Sequence, residues 1–190
     1  MRFIVSTPIT YNGLILCGLI GCIKLGKVCA FLGNDYDKFG AVKLGYNTPP
    51  NLKEYIREAV INLIENEDVD TFLVGEIGGY EIDAYNTVSK IQKEYPQIRI
   101  YLVISQITDL HEMNIRDGDQ VVERRGFDDF ILPPKCELGY KKLCIVYRNR
   151  YIIANTDYII AYNGYKGRAY EFCKAARNKG VKVIELAEKY

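Results

Sequence analysis

Arg148-Asn149-Arg150-Tyr151-Ile152-Ile153-Ala154-Asn155-Thr156-Asp157-Tyr158-Ile159-Ile160-Ala161-Tyr162-Asn163-Gly164-Tyr165-Lys166-Gly167-Arg168-Ala169-Tyr170-Glu171 is the stretch on which the fold turns. Its centre, residues 158–162, is an apolar run of strand length. Ahead of it Leu143, Tyr147, Tyr151 and Ala154 recur at helical spacing, so residues 140–155 read as a helix. Behind it residues 168–179 read as a second helix, closed by Gly180. A short buried strand between two helices belongs to an α/β layer architecture. The loop after such a strand gathers backbone N–H groups and a helix N-terminus around one crevice, which is where ligands bind.

The same alternation extends in both directions. Residues 27–33 form an apolar run ending in Gly33, the pattern of a buried strand feeding a loop. Asn51 is placed as an N-cap, and Leu52, Tyr55, Ile56, Ala59, Val60, Leu63 and Ile64 give an amphipathic helix to about residue 65. Residues 70–75 are a second strand ending in Gly75, residues 76–80 a turn, and Ile82, Tyr85, Val88, Ile91 and Gln92 a helix that stops before Pro96. Residues 98–105 are a third strand. The polar segment 106–126 reads as a loop with a short helix near 120–125, and residues 128–132 as a strand closed by Pro133-Pro134. Residues 181–186 are the last strand. The expected fold is a single α/β domain over residues 28–190, a Rossmann-like three-layer sandwich on a mainly parallel sheet of about five to six strands.

Residues 1–27 read as an N-terminal extension, with strands at 3–5 and 14–16 joined at Asn12-Gly13 into a hairpin on the sheet edge. The apolar segment 13–23 is shorter than the roughly 20 residues a membrane span needs. No small-residue cleavage site follows it, so export is not the expectation.

The 25 Lys and Arg against 24 Asp and Glu leave no basic excess for a phosphate backbone, so nucleic acid is not an expected partner. The six cysteines (Cys17, Cys22, Cys29, Cys136, Cys144, Cys173) form no C-x-x-C pair, and His111 is the single histidine. No metal site is expected, and the thiols read as reduced, buried groups of a cytoplasmic protein. No membrane partner is expected. Composition does not decide whether the chain forms a homo-oligomer.

Three motifs in the chain resemble the SLOG superfamily, named for its Smf/DprA and Lonely Guy members, and its YpsA-like bacterial branch. Phe31-Leu32-Gly33-Asn34-Asp35 stands where that family has an F-T-G-H-R type loop. The G-x-x-x-G-x-D turn is matched by Gly75, Gly79 and Glu81, with Glu in place of Asp. An R-N-x-x-M helix, S-D strand and G-G-T loop are matched by Arg148-Asn149, Thr156-Asp157 and Gly167-Arg168. The departures are the missing His-Arg pair after Gly33, Arg168 in place of Thr, and the absence of a Pro-Gly-Gly opening before Gly167.

The resemblance implies a crevice for a nucleotide-derived small molecule lined by Gly33, Asn34, Gly75, Gly79, Glu81, Arg148, Gly167 and Arg168, with no further cofactor. It also implies an alternative, a phosphoribohydrolase or related N-glycosidase in which Glu171 acts on the glycosidic bond and Arg148 holds a 5'-phosphate. The incomplete loops favour a binding module or sensor. On the residues alone, Arg148 and Arg150 are two apart and belong to different helix faces, so only one of them faces the crevice. Glu171 is equally accounted for as an acidic residue in a first helical turn. Asp157 precedes its strand and reads as a connector.

Overall fold

The computed structural model describes residues 9–11, 14–16, 26–33, 51–75, 78–105, 115–117, 120–122, 128–136, 140–163 and 166–186. In chain order its elements are β1 (Ile9–Tyr11), β2 (Leu14–Leu16), β3 (Lys27–Gly33), α1 (Leu52–Glu67), β4 (Val69–Gly75), α2 (Gly79–Gln92) and β5 (Arg99–Val103). They continue with β6 (Ile115–Asp117), β7 (Gln120–Val122), β8 (Asp129–Ile131), α3 (Lys141–Ala154), β9 (Tyr158–Tyr162), α4 (Arg168–Asn178) and β10 (Lys182–Glu185).

Six strands form one sheet in the order β10-β9-β3-β4-β5-β8, and every pairing in it is parallel. Period-two alternation splits the strand side chains between two cores. Cys29, Phe31, Phe72, Val74, Ile100 and Ile160 pack under α1 and α2. Ala30, Leu32, Leu73, Val103, Ile159 and Ala161 pack under α3 and α4. With these four helices among the described residues, the architecture is the expected Rossmann-like three-layer sandwich. At the β5 and β8 side, Leu102, Ile104, Leu132, Cys136 and Cys144 make a smaller cluster.

Several boundaries differ from the sequence expectation. The hairpin near the N-terminus pairs Ile9 with Leu16 and Tyr11 with Leu14, and it stands as a separate two-stranded sheet rather than on the edge of the main one. The strand expected at 3–5 and the Asn12-Gly13 turn lie outside the described residues. The helix expected near 120–125 is a strand where described: Gln120 to Val122 pair antiparallel with Ile115 to Asp117. Adjacent β-branched valines after Asp117-Gly118 favour a hairpin over a helix start. Asn51 occupies the N-cap of α1, yet its side chain makes no capping bond. Helix α2 begins at Gly79, a turn earlier than its apolar spacing indicated.

Helix α4 ends as expected. Gly180 has φ +80°, and its N–H donates to the Arg177 carbonyl while that of Val181 donates to Ala176. These are the two bonds of a Schellman cap, whose left-handed residue favours glycine. Cys29, Cys136, Cys144 and Cys173 are buried free thiols. No helix among the described residues is long and apolar enough to cross a membrane.

Candidate functional site

From β3 the chain steps outward through β4, β5 and β8, then returns to the other side of β3 to lay down β9 and β10. The order therefore reverses between β3 and β9. In open parallel sheets the strand carboxyl ends part at such a point and leave a crevice. Gly33, the last residue of β3, lies in register with Tyr162, the last of β9. Gly75 ends the neighbouring strand β4. The carboxyl ends of β9, β3 and β4 thus lie side by side at the switch point.

Gly75 is where two charged side chains converge. A Cβ built on it would lie 3.5 Å from Arg148 Cζ, 3.6 Å from Arg148 Nη1 and 3.5 Å from Glu81 Cγ. Both residues are buried, Arg148 at 6% exposure and Glu81 at 7%. Arg148 comes from α3, where its Nε donates to Asn149 Oδ1 at 3.1 Å. Asn149 is itself buried. Glu81 comes from the first turn of α2, where the helix dipole favours a carboxylate. Arg150 is exposed, so the two arginines do stand on different faces.

The turn that delivers Glu81 depends on glycine. Gly78, the N-cap of α2, has φ +119° and ψ +150°, a conformation that side-chain-bearing residues avoid. Gly79 follows as the first helical residue. Tyr80 then turns inward and is fully buried. Its hydroxyl donates to the Ile160 carbonyl at 2.9 Å, and its ring stacks on Tyr162 with centroids 6.1 Å apart. A Cβ on Gly33 would stand 2.2 Å from that ring, so Gly33 is glycine because Tyr80 fills the space. Burial raises the pKa of the Tyr162 hydroxyl, keeping it neutral.

The third wall is less centred. Gly167 is the N-cap of α4 with extended backbone, and Arg168 is exposed in the first turn. Glu171 donates its amide to the Gly167 carbonyl at 3.3 Å, but its side chain is exposed, while Ala169, Cys173 and Ala176 face the sheet. At the end of β9, Asn163 Nδ2 donates to Glu185 Oε1 at 3.4 Å and its Oδ1 accepts from the Cys173 thiol at 3.9 Å. Arg177 pairs with the same Glu185. Burial pushes the Cys173 thiol up, and the Asn163 contact partly opposes it. Asn34 and His111 lie outside the described residues.

The structure thus gathers Gly75, Glu81 and Arg148 at one point, with Gly33 and Gly79 beside it through Tyr80. It sets Arg168 and Glu171 on the exposed start of α4. Thr156 and Asp157, matched to the third motif, lie at the amino end of the sheet instead. The Thr156 hydroxyl donates to the Val28 carbonyl at 3.0 Å. Asp157 Oδ2 accepts the Val28 N–H at 3.0 Å. They clasp β9 to β3, which is the connector role. Tyr80 escaped the sequence reading, because nothing local to Gly79-Tyr80-Glu81 reveals that its partner is Gly33, far away in the chain. Among described residues, no group of His, Cys, Asp or Glu could hold a metal ion. In comparisons with known proteins, no family model matches the chain and no curated protein matches it.

Proposed function

We propose that the chain is a binding protein for a nucleotide-derived small molecule, with a sensor's role, and that the ligand sits at the carboxyl edge of the sheet beside the β3/β9 switch point. The observation that carries this is the buried guanidinium of Arg148, held by Asn149 and, like the buried Glu81, packed against Gly75. Arginine presents a rigid fork of N–H donors that matches phosphate bidentately. A carboxylate alongside suits the hydroxyls of a ribose. Membership of the SLOG superfamily, in its YpsA-like branch, is part of the same proposal. It rests on the order of the three motifs and on the switch-point position of two of them.

The alternative enzyme, an N-glycosidase using Glu171, has weaker support. A carboxylate that stabilises an oxocarbenium-like state works beside the bound sugar, whereas Glu171 is exposed on α4. Two measurements separate the readings. Nucleoside monophosphates and ADP-ribose-like compounds raise the melting temperature of the wild type, and Arg148→Ala abolishes that shift. Incubation with nucleoside monophosphates releases no free base; release that Glu171→Gln abolishes would establish the enzyme instead. A broad nucleotide panel that stabilises nothing would remove the binding reading.

A further inference from the structure

Tyr80 stands among the carboxyl ends of β3 and β9 at the switch point. Its ring lies against Gly33 at the end of β3, where even a methyl group would collide with it. It stacks on Tyr162 at the end of β9 and meets Phe31 edge-on at 6.5 Å. Its hydroxyl reaches past them to the Ile160 carbonyl, 2.9 Å away in the middle of β9. Its own backbone is the first turn of α2, directly after Gly79 and directly before Glu81. One side chain therefore joins the end of β3, the end of β9 and the turn after β4.

We infer that Tyr80 is a positioning residue: through the Ile160 bond and the Gly33 contact it fixes the first turn of α2, and thereby sets Glu81 against Arg148 over Gly75. The inference deepens the reading of this edge as the ligand site and rests on it, but its decisive test needs no ligand. A buried hydroxyl bonded to a carbonyl is lost at the cost of a desolvated, less satisfied acceptor. The ring of phenylalanine keeps the packing, so Tyr80→Phe removes the link and little else.

The control is Tyr158→Phe, which removes a hydroxyl bonded to Glu67 at the opposite edge of the sheet. Two signals are read in both variants by NMR. One is the side-chain Nε–H resonance of Arg148, which reports the guanidinium and its Asn149 partner. The other is amide hydrogen exchange at Ile82, bonded to the Gly78 carbonyl. In Tyr80→Phe the Arg148 resonance shifts and Ile82 exchanges about tenfold faster; in Tyr158→Phe neither changes. Unchanged signals in Tyr80→Phe, or equal changes in both variants, overturn the inference. Should Tyr80→Phe fail to fold, the wild type carries the test: Ile82 opens in step with the β9 amides, and independent opening overturns the inference. AMP is the probe for the ligand reading. Its Kd rises at least about fivefold in Tyr80→Phe and holds in Tyr158→Phe, in line with the lost bond. Failure of AMP to bind the wild type would count against the ligand reading alone, since the two NMR signals are taken without it.

Discussion

The two edges of the six-stranded sheet both collect polar residues, and they use them differently. At the amino edge, Glu67 accepts from the Tyr158 hydroxyl at 2.5 Å and pairs with Lys27 at 3.1 Å and Lys182 at 3.7 Å. The two ammonium groups flank the Tyr158 ring, 5.6 Å and 5.1 Å from its centre. Beside them lies a groove of about 450 Å³ lined by Lys27, Lys179, Lys182, Thr156 and Asp157. Helices α3 and α4 end at this edge, so the lysines sit where the negative ends of helix dipoles attract cations. These charges are substantially exposed and serve one another. At the carboxyl edge, Arg148 and Glu81 are buried against Gly75, while Gly33 makes room for the Tyr80 ring. Charge in solvent joins strands cheaply; charge held inside is costly unless it is paired and hydrogen-bonded, and it is on this buried charge that the proposed ligand site rests.

The contrast is sharpest at Gly33. Gly33→Ala forces a methyl group into the Tyr80 ring and costs about 2–3 kcal/mol by overpacking, measured by urea unfolding. In a Tyr80→Ala background the same substitution loses most of that penalty, because the ring is gone. Next in size is the amino-edge clasp. Asp157→Ala removes the acceptor for the Val28 N–H, costs about 1 kcal/mol, and leaves any nucleotide-induced thermal shift intact.

The smallest effect is electrostatic. The Tyr158 hydroxyl, then Lys27, hold the Glu67 carboxyl below its ordinary 4.5, while Glu67, then Tyr158, hold Lys27 above its ordinary 10.5. A depressed carboxyl stabilises the fold above its unfolded pKa and loses that contribution as pH falls through the folded value. A raised ammonium stabilises below its unfolded pKa and loses that contribution as pH rises through the folded value. The network therefore contributes between these limits, weakly because its members are exposed. The melting temperatures of wild type and Glu67→Gln converge as pH is lowered from 6 to 3, on the order of the carboxylate range; a gap that widens on acidification would contradict the pairing.

The fold was legible because the central strands β3, β4, β5 and β9 carry apolar runs and alternate with segments of helical length, so the layered α/β architecture follows from that alternation. The local hairpins were less so. Val121 and Val122 could be counted toward a short helix until their pairing with β6 was seen, since three residues carry too little periodicity to decide. Helix α3 hid its orientation for another reason. Its stripe of Leu143, Tyr147, Tyr151 and Ala154 lies outward or half-buried, whereas the opposite face buries Cys144, Arg148, Asn149, Ile152 and Ile153. Apolar residues surround the helix, so spacing alone could not say which side meets the sheet. Of the site, the glycines and Arg148 were readable as local signals at strand ends and in a motif. Tyr80 was not, because its role is a contact between distant segments.

The central claim is that the carboxyl edge binds a nucleotide through Arg148 while the amino edge only holds strands together. Isothermal titration of AMP and ADP-ribose into wild type, Arg148→Ala and Asp157→Ala tests it most directly. The account predicts binding to the wild type and to Asp157→Ala, with binding lost in Arg148→Ala. Binding that survives Arg148→Ala and disappears in Asp157→Ala would contradict it.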